Sequence, residues 1–590
     1  MIAICTVSYY YKIKERGDTA LGRVSGKNLK ETGQINMSKK INTITISEEF
    51  SLMYPAGKKP AYRKLNDEAC NDLSLEYIID YISENDREKK LITGMMRELE
   101  YDPEVISYRC DIFEDIIKFP SLREKIKDML DQLEYLKSFE KPYKDDSAAA
   151  VWQLVNRLQE LDAYVSCIEG INQALSDCPV KSGGLVQMKE YVSSVYNENG
   201  FSVLREDINS LLTETSKIQS ITLGVNLDSA LRPVEVGILS INPEKFDHSG
   251  ILDNFLGFCS KFIDIIGASG IGGAGGGMTK IHSSGSTAEE DPLMKNLTRT
   301  VSNMLGTTIR QLKTKLSRYV NISGYKLTRF IPEMLFYIRW SEFCTRIMEQ
   351  GLPMSRPEIL DPEKRELSAK GIYNIKLAIQ RLEGKDTDIV RNDFEFNNEH
   401  GIYIMTGPNR GGKTTFTQAV GMLFLLAQNG IFVPAEALSI SPCDNIYTHF
   451  PADENLTVNL GRLGEESKRL SEIFMVATNK SVLLFNEPLA TTSFTEGLYI
   501  AKDVVRALRY RGARTVFNTH MHELAMNLEA MNSFPGDIGV ASLITGIHEG
   551  RRSYKVFIAP PEGVSYAKDI AKKYGVTFDQ LRLSVDRAAG

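Results

Sequence analysis

The stretch Gly401-Ile402-Tyr403-Ile404-Met405-Thr406-Gly407-Pro408-Asn409-Arg410-Gly411-Gly412-Lys413-Thr414-Thr415 decides how this chain is read. Its opening is an apolar run of strand length, its middle is rich in glycine, and Val420, Leu423 and Leu426 beyond it predict an apolar helix. Set inside this strand–loop–helix pattern, Gly407 to Thr414 spell G-x-x-x-x-G-K-T. Glycines let backbone N–H groups turn onto phosphate oxygens, and the helix N-terminus adds the positive end of its dipole. Lys413 is placed for β- and γ-phosphates and Thr414 for Mg²⁺. ATP and Mg²⁺ are therefore the expected ligands, with Gly407, Pro408, Asn409, Arg410, Gly411, Gly412, Lys413, Thr414 and Thr415 as the cradle.

Two more apolar runs end in polar residues. Val482-Leu483-Leu484-Phe485 leads to Asn486-Glu487-Pro488. Glu487 suits a general base that polarises water; Asn486 stands where an acid would assist Mg²⁺, a weak substitute because an amide oxygen carries no charge. Thr515-Val516-Phe517 leads to Asn518-Thr519-His520, and His520, rather than His522, is the expected sensor of a γ-phosphate.

On these residues the chain resembles the MutS family of DNA mismatch-repair ATPases, of the ABC type. The likeness runs over about 65–580 and is most specific in GPNRGGKTT, FVPAEAL (432–438), LLFNEPLATTS (483–493), THMHEL (519–524) and PPEGVSYAKDIAKKYGV (560–576). Tyr101-Asp102-Pro103-Glu104-Val105-Ile106-Ser107-Tyr108-Arg109 resembles the start of the family's helical core. The resemblance implies a multi-domain α plus α/β fold, a helical core and lever region followed by an ABC-type P-loop ATPase domain. It also implies a homodimer that clamps double-stranded or structured DNA under nucleotide control. Several residues depart from the family pattern: Asn486 replaces its aspartate, Gly461 stands where a phosphate-binding serine is expected, and Ile389 or a neighbour replaces the aromatic that stacks on adenine. About 60 residues precede the core, without a Phe-x-Glu wedge, so shape or backbone recognition of DNA is expected in place of mismatch probing.

The rest of the sequence fits around this. At 590 residues the chain is expected to hold three or four domains, and 42 % hydrophobic with 25 % charged residues is a globular composition. Residues 1–58 are a polar extension; 59–390 are read as the helical domain, with a β-hairpin at about 220–240 and a loop of eight glycines at 267–291; 391–590 are read as the ATPase domain with a C-terminal helical dimerisation segment. The glycine loop lacks a Gly-Lys-Ser/Thr sequence and reads as a solvated loop, not a second nucleotide site. The net charge of −6 requires that any polyanion meet a local basic surface, and Lys295, Arg299, Arg310, Lys313, Lys315, Arg318, Lys326 and Arg329 form such a run without one acid among them. The same segment carries an apolar helical stripe, so a DNA-facing surface and a solvated helix face are both open readings. Eight scattered cysteines argue against zinc or disulfides, and no metal beyond nucleotide-bound Mg²⁺ is expected. No apolar run reaches membrane-spanning length and no secretory leader is evident, so the expectation is no membrane and a cytoplasmic location. Two alternatives stay open: a slow or inactive ATPase acting as a nucleotide-gated interaction protein, motivated by Asn486, and a relative acting on structured RNA or the ribosome.

Overall fold

The computed structural model describes residues 50–138, 150–216, 220–230, 233–244, 306–319, 325–408, 410–451, 462–490, 492–548, 551–561 and 574–582. Most of the 1–58 extension, the glycine loop, Asn409, Gly461 and most of the 560–576 motif lie outside them.

The first half is helical. A short pair of antiparallel strands, β1 (Tyr62–Lys64) and β2 (Glu98–Glu100), brackets α1 (Asp67–Asp72), α2 (Leu75–Ile82) and α3 (Asp86–Met96). Then come α4 (Pro103–Lys118), α5 (Pro120–Ser138), α6 (Ala150–Ser176), α7 (Gly183–Tyr196) and α8 (Asn199–Ser216). The expected hairpin is present as antiparallel β3 (Ser220–Leu227) and β4 (Pro233–Asn242), followed by α9 (Gly306–Leu316), α10 (Tyr325–Thr328) and α11 (Ile331–Glu349). Helix α4 shows why these residues fold so. The Asp102 side chain accepts from Glu104 N–H, Pro103 fills the first turn where its missing N–H costs nothing, and Val105, Ile106, Ile112, Phe113 and Ile116 bury one side. Helix α11 is buried nearly all round, and its Arg339 is neutralised by Glu84, Glu88 and Glu342 at 2.8, 2.9 and 3.1 Å.

The second half contains β5 (Glu358–Ile359), β6 (Leu367–Ile372), α12 (Ile375–Leu382), β7 (Asn392–Phe396), β8 (Ile402–Thr406), α13 (Lys413–Gln428), β9 (Ala437–Ile440), β10 (Ile446–His449), α14 (Arg462–Val476), β11 (Val482–Asn486), α15 (Phe494–Arg511), β12 (Arg514–Asn518), α16 (His522–Met526), α17 (Leu528–Asn532), β13 (Val540–His548) and β14 (Arg551–Ile558). Six strands form a sheet in the order β10-β11-β12-β8-β13-β14, parallel except for the β13–β14 hairpin. Alternation along a strand sends neighbours to opposite faces. Val482 and Leu484 of β11 join the core shared with α13 and the helical half, whereas Leu483 and Phe485 join a second core with Ala501, Val505 and Leu508 of α15. The sheet is thus covered on both faces, as parallel strands require. Helix α15 opens on Ser493, whose Oγ accepts from Glu496 N–H at 3.4 Å and donates to Glu496 Oε2 at 2.7 Å, and closes on Gly512 at φ +73°.

A smaller sheet, β5-β9-β6-β7, joins residues on both sides of position 390, where the sequence places a domain boundary. The two halves are also bonded directly. Gln428 Nε2, at the end of α13, donates to the Glu100 carbonyl at 2.6 Å, and Asn429 Nδ2 donates to that of Met96 at 3.2 Å. No helix among the described residues is long and apolar enough to cross a membrane.

Of the basic run, Lys315 and Arg318 turn to Asp207 at 3.8 and 3.6 Å, and Arg329 donates to the Phe50 carbonyl. Arg310 and Lys313 are exposed, while Leu312 and Leu316 of the apolar stripe are buried; Leu293, Leu297, Val301 and Leu305 lie outside the described residues. The side chains of Lys295, Arg299 and Lys326 lie outside the described residues.

Candidate nucleotide site

The sequence motifs converge because β8, β11 and β12 are parallel neighbours whose C-terminal ends lie side by side, the place where open α/β sheets bind ligands. The register sets Asn486 opposite Asn518, and Asn518 opposite Met405, one residue short of the strand end that opens the glycine loop.

The loop is shaped for glycine. Gly407 sits at φ +143°, and a Cβ there would lie 2.1 Å from Thr545 Oγ1; a Cβ on Gly411 would lie 2.8 Å from the Pro408 carbonyl oxygen. Gly412, at φ +92°, caps α13, so the free N–H groups of the helix start face the loop. Lys413 is buried, and its ammonium donates to the Gly407 and Pro408 carbonyls at 3.1 and 3.3 Å. Burial draws its pKa down and the Glu487 charge partly restores it. A cradle of backbone N–H groups, one ammonium and a helix N-terminus is chemically suited to a polyphosphate.

Thr414 and Asn486 meet: Thr414 Oγ1 donates to Asn486 Oδ1 at 2.9 Å. Asn518 Nδ2 donates to the same oxygen at 3.0 Å and to Thr417 Oγ1 at 2.7 Å. This cluster of oxygens is the part of the site that could ligate a hard divalent cation, with no carboxylate directly in it. Next to it, Glu487 Oε1 lies 2.7 Å from His520 Nε2 and 4.0 Å from Lys413 Nζ. The His520 hydrogen bond holds the Glu487 carboxyl below its usual range against the opposing effect of burial, with the charges of His520 and Lys413 adding to the depression. His522 is not brought to Glu487; it begins α16, and burial lowers its pKa. Thr415 turns its carbonyl to Asn374 Nδ2.

Strain gathers here. Among the described residues six non-glycines have left-handed φ, and four of them, Arg410 (+59°), Glu487 (+53°), Leu489 (+65°) and Tyr554 (+54°), border this site. Leu489 N–H is held by Glu466 Oε2 of α14 at 2.7 Å. The sequence reading gave no role to Asn518, Thr545 or Tyr554. A signal for Asn518 existed: like Asn486, it is the polar residue that closes a buried apolar strand.

Residues 403–542 match the family model for MutS domain V. The DNA mismatch repair protein MutS of Chlorobium chlorochromatii is 31 % identical over 213 residues, 36 % of this chain and 24 % of that protein. The same protein of Chlorobium limicola is 38 % identical over 148 residues, 25 % of this chain and 17 % of its own length. Endonuclease MutS2 of Thermus thermophilus is 29 % identical over 195 residues, 33 % of this chain and 26 % of that protein. The chain thus spans about a quarter or less of the length of these curated relatives.

Proposed function

The chain is a MutS-family protein, recognised by its domain V, and from that premise we propose that it is an ATP-dependent DNA-binding protein of repair or recombination. It acts as a homodimer of ABC-type ATPase domains that drive helical levers to clamp DNA. The observation that carries the reading is the meeting of three strand ends: Thr414 on Asn486 at 2.9 Å and Glu487 on His520 at 2.7 Å, beside the Lys413 cradle.

Bound ATP·Mg²⁺ would supply the phosphoanhydride whose cleavage resets the switch. The chain's residues do the rest. Lys413 and the start of α13 neutralise and orient the phosphates, and Thr414 with Asn486 offers oxygens to the cation. Glu487, a carboxylate at neutral pH, orients water and takes its proton. His520 fixes the Glu487 carboxylate at 2.7 Å and reads the state of the terminal phosphate. The family resemblance adds the Gly461 segment of a second copy as the element that closes over the nucleotide. Steady-state ATP turnover that is abolished by Glu487→Gln, together with salt-sensitive retention of duplex or branched DNA on filters, is the expected result. No retention of any DNA at low salt would defeat the clamp reading.

A second reading is favoured by one observation: the cation cluster holds an amide where a carboxylate would bind Mg²⁺ more strongly. On that reading the protein binds ATP and dimerises but barely hydrolyses it. Wild-type turnover at the level of Glu487→Gln, with ATP binding intact, would select this reading.

A further inference from the structure

We infer that Tyr554 supplies the aromatic surface on which the base of the nucleotide rests. The inference depends on the nucleotide reading above and deepens it by naming what holds the base.

Tyr554 lies on β14 at φ +54°, a backbone conformation that bulky side chains rarely adopt and that persists only where the surroundings enforce it. One side chain enforces it here. Asn392 Nδ2 donates to the Tyr554 carbonyl at 3.2 Å, and Asn392 Oδ1 accepts from Val556 N–H at 2.9 Å. The result is a ring set against the phosphate loop: a Cβ on Gly412 would meet Tyr554 Cδ1 at 3.3 Å. Gly412 is the cap from which the anion-attracting end of α13 begins.

Tyr554 nevertheless stays 42 % exposed, so aromatic surface remains open beside the loop. Phosphates seated at the start of α13 leave the ribose and base to extend past the rim of the loop. An aromatic face at that rim can stack on any base without reading its edge. Ile389 and its neighbours Asp388 and Val390, where the family resemblance places a stacking ring, offer none. An ordinary surface tyrosine would need neither a left-handed backbone nor a side chain clasping its carbonyl.

The test uses the full chain, titrated calorimetrically with ATP and with inorganic tripolyphosphate, each with Mg²⁺. Glycine is comfortable at φ +54°, so Tyr554→Gly removes the ring without adding strain, and Tyr554→Phe keeps it. The expected result is ATP affinity about tenfold weaker in Tyr554→Gly, the size of one stacking contact, with tripolyphosphate affinity unchanged and Tyr554→Phe equal to wild type. Equal ATP affinity in wild type and Tyr554→Gly overturns the inference. So does an equal loss for both ligands, which would assign Tyr554 to the shape of the loop alone. A wild-type chain that binds neither ligand overturns the nucleotide reading itself. One that binds both equally overturns only the role of Tyr554.

Discussion

His520 Nε2 lies 2.7 Å from Glu487 Oε1, and the same oxygen lies 4.0 Å from Lys413 Nζ, so one carboxylate joins the ends of β11 and β12 to the phosphate loop. The His520 bond is the largest influence lowering the Glu487 pKa. Removing it in His520→Ala lets that pKa rise, so the acid limb of the turnover–pH profile should move to higher pH. Folding stability follows the same sign. The Glu487 contribution is fully present above its ordinary value of 4.5 and is lost as pH falls through the lower folded value. Glu487→Gln should lower turnover by roughly 10² to 10⁴ and leave ATP binding intact, as expected when a general base is lost. An unchanged pH profile in His520→Ala would remove His520 from this role.

On the proposed function, Asn486→Asp should strengthen Mg²⁺ binding at Thr414 and Asn486. Asp accepts the Thr414 and Asn518 hydrogen bonds that Asn486 Oδ1 now accepts at 2.9 and 3.0 Å, and adds a charge for a hard cation. The Mg²⁺ concentration for half-maximal turnover should fall by roughly tenfold, since one unit charge a few ångströms away readily supplies about 1.4 kcal/mol. Asn486→Ala should instead cost about 1–3 kcal/mol of stability by stranding a buried Asn518 donor, measurable by thermal unfolding.

These outcomes separate what the sequence displays from what only the fold assembles. The Gly407–Thr414 motif was legible because a phosphate cradle needs its residues in one continuous run. Asn486, Glu487 and His520 were legible because each follows a buried apolar strand, and strands of that kind end at one edge of a sheet. Tyr554 was not legible: its position depends on the conformation of β14 and on Asn392, 162 residues away. Thr545 was hidden similarly, since only the pairing of Ile544 with Thr406 brings it against Gly407. The small sheet across position 390 escaped notice because β5 has two residues and β6 six, too short to stand out from helical surroundings, although Leu367, Ser368, Ala369 and Lys370 do alternate buried and exposed.

Gly407→Ala tests the cradle beside a second positive-φ glycine. Gly384, at φ +81°, lies near the left-handed region and a Cβ there meets nothing within 4 Å, whereas Gly407, at φ +143°, lies beyond that region and its Cβ would meet Thr545 Oγ1 at 2.1 Å. Gly384→Ala should lose about 1 kcal/mol to backbone strain, and Gly407→Ala roughly 2–4 kcal/mol, with loss of ATP binding. Thermal unfolding and calorimetric ATP titration of both variants measure the difference. Equal behaviour would mean that the loop yields to the added methyl.

His449 should make the protein acid-sensitive from a position outside the Glu487–His520 cluster. It ends β10, 4 % exposed, with its ring edge-on to that of Phe485 at 6.3 Å. Burial first, and the Arg469 charge second, pull its pKa from 6.5 to about 4. Between those values the unfolded chain binds a proton that the folded chain refuses, so stability rises with pH and is lost as pH falls from 6.5 toward 4. The loss should be on the order of 2 kcal/mol between about pH 6.5 and 5. His449→Phe preserves an aromatic contact with Phe485 and removes the titrating group. Its unfolding midpoint should therefore fall less than that of wild type over this interval. If wild type and His449→Phe lose stability in parallel, the acid sensitivity belongs to other groups and the β10 histidine is only packing.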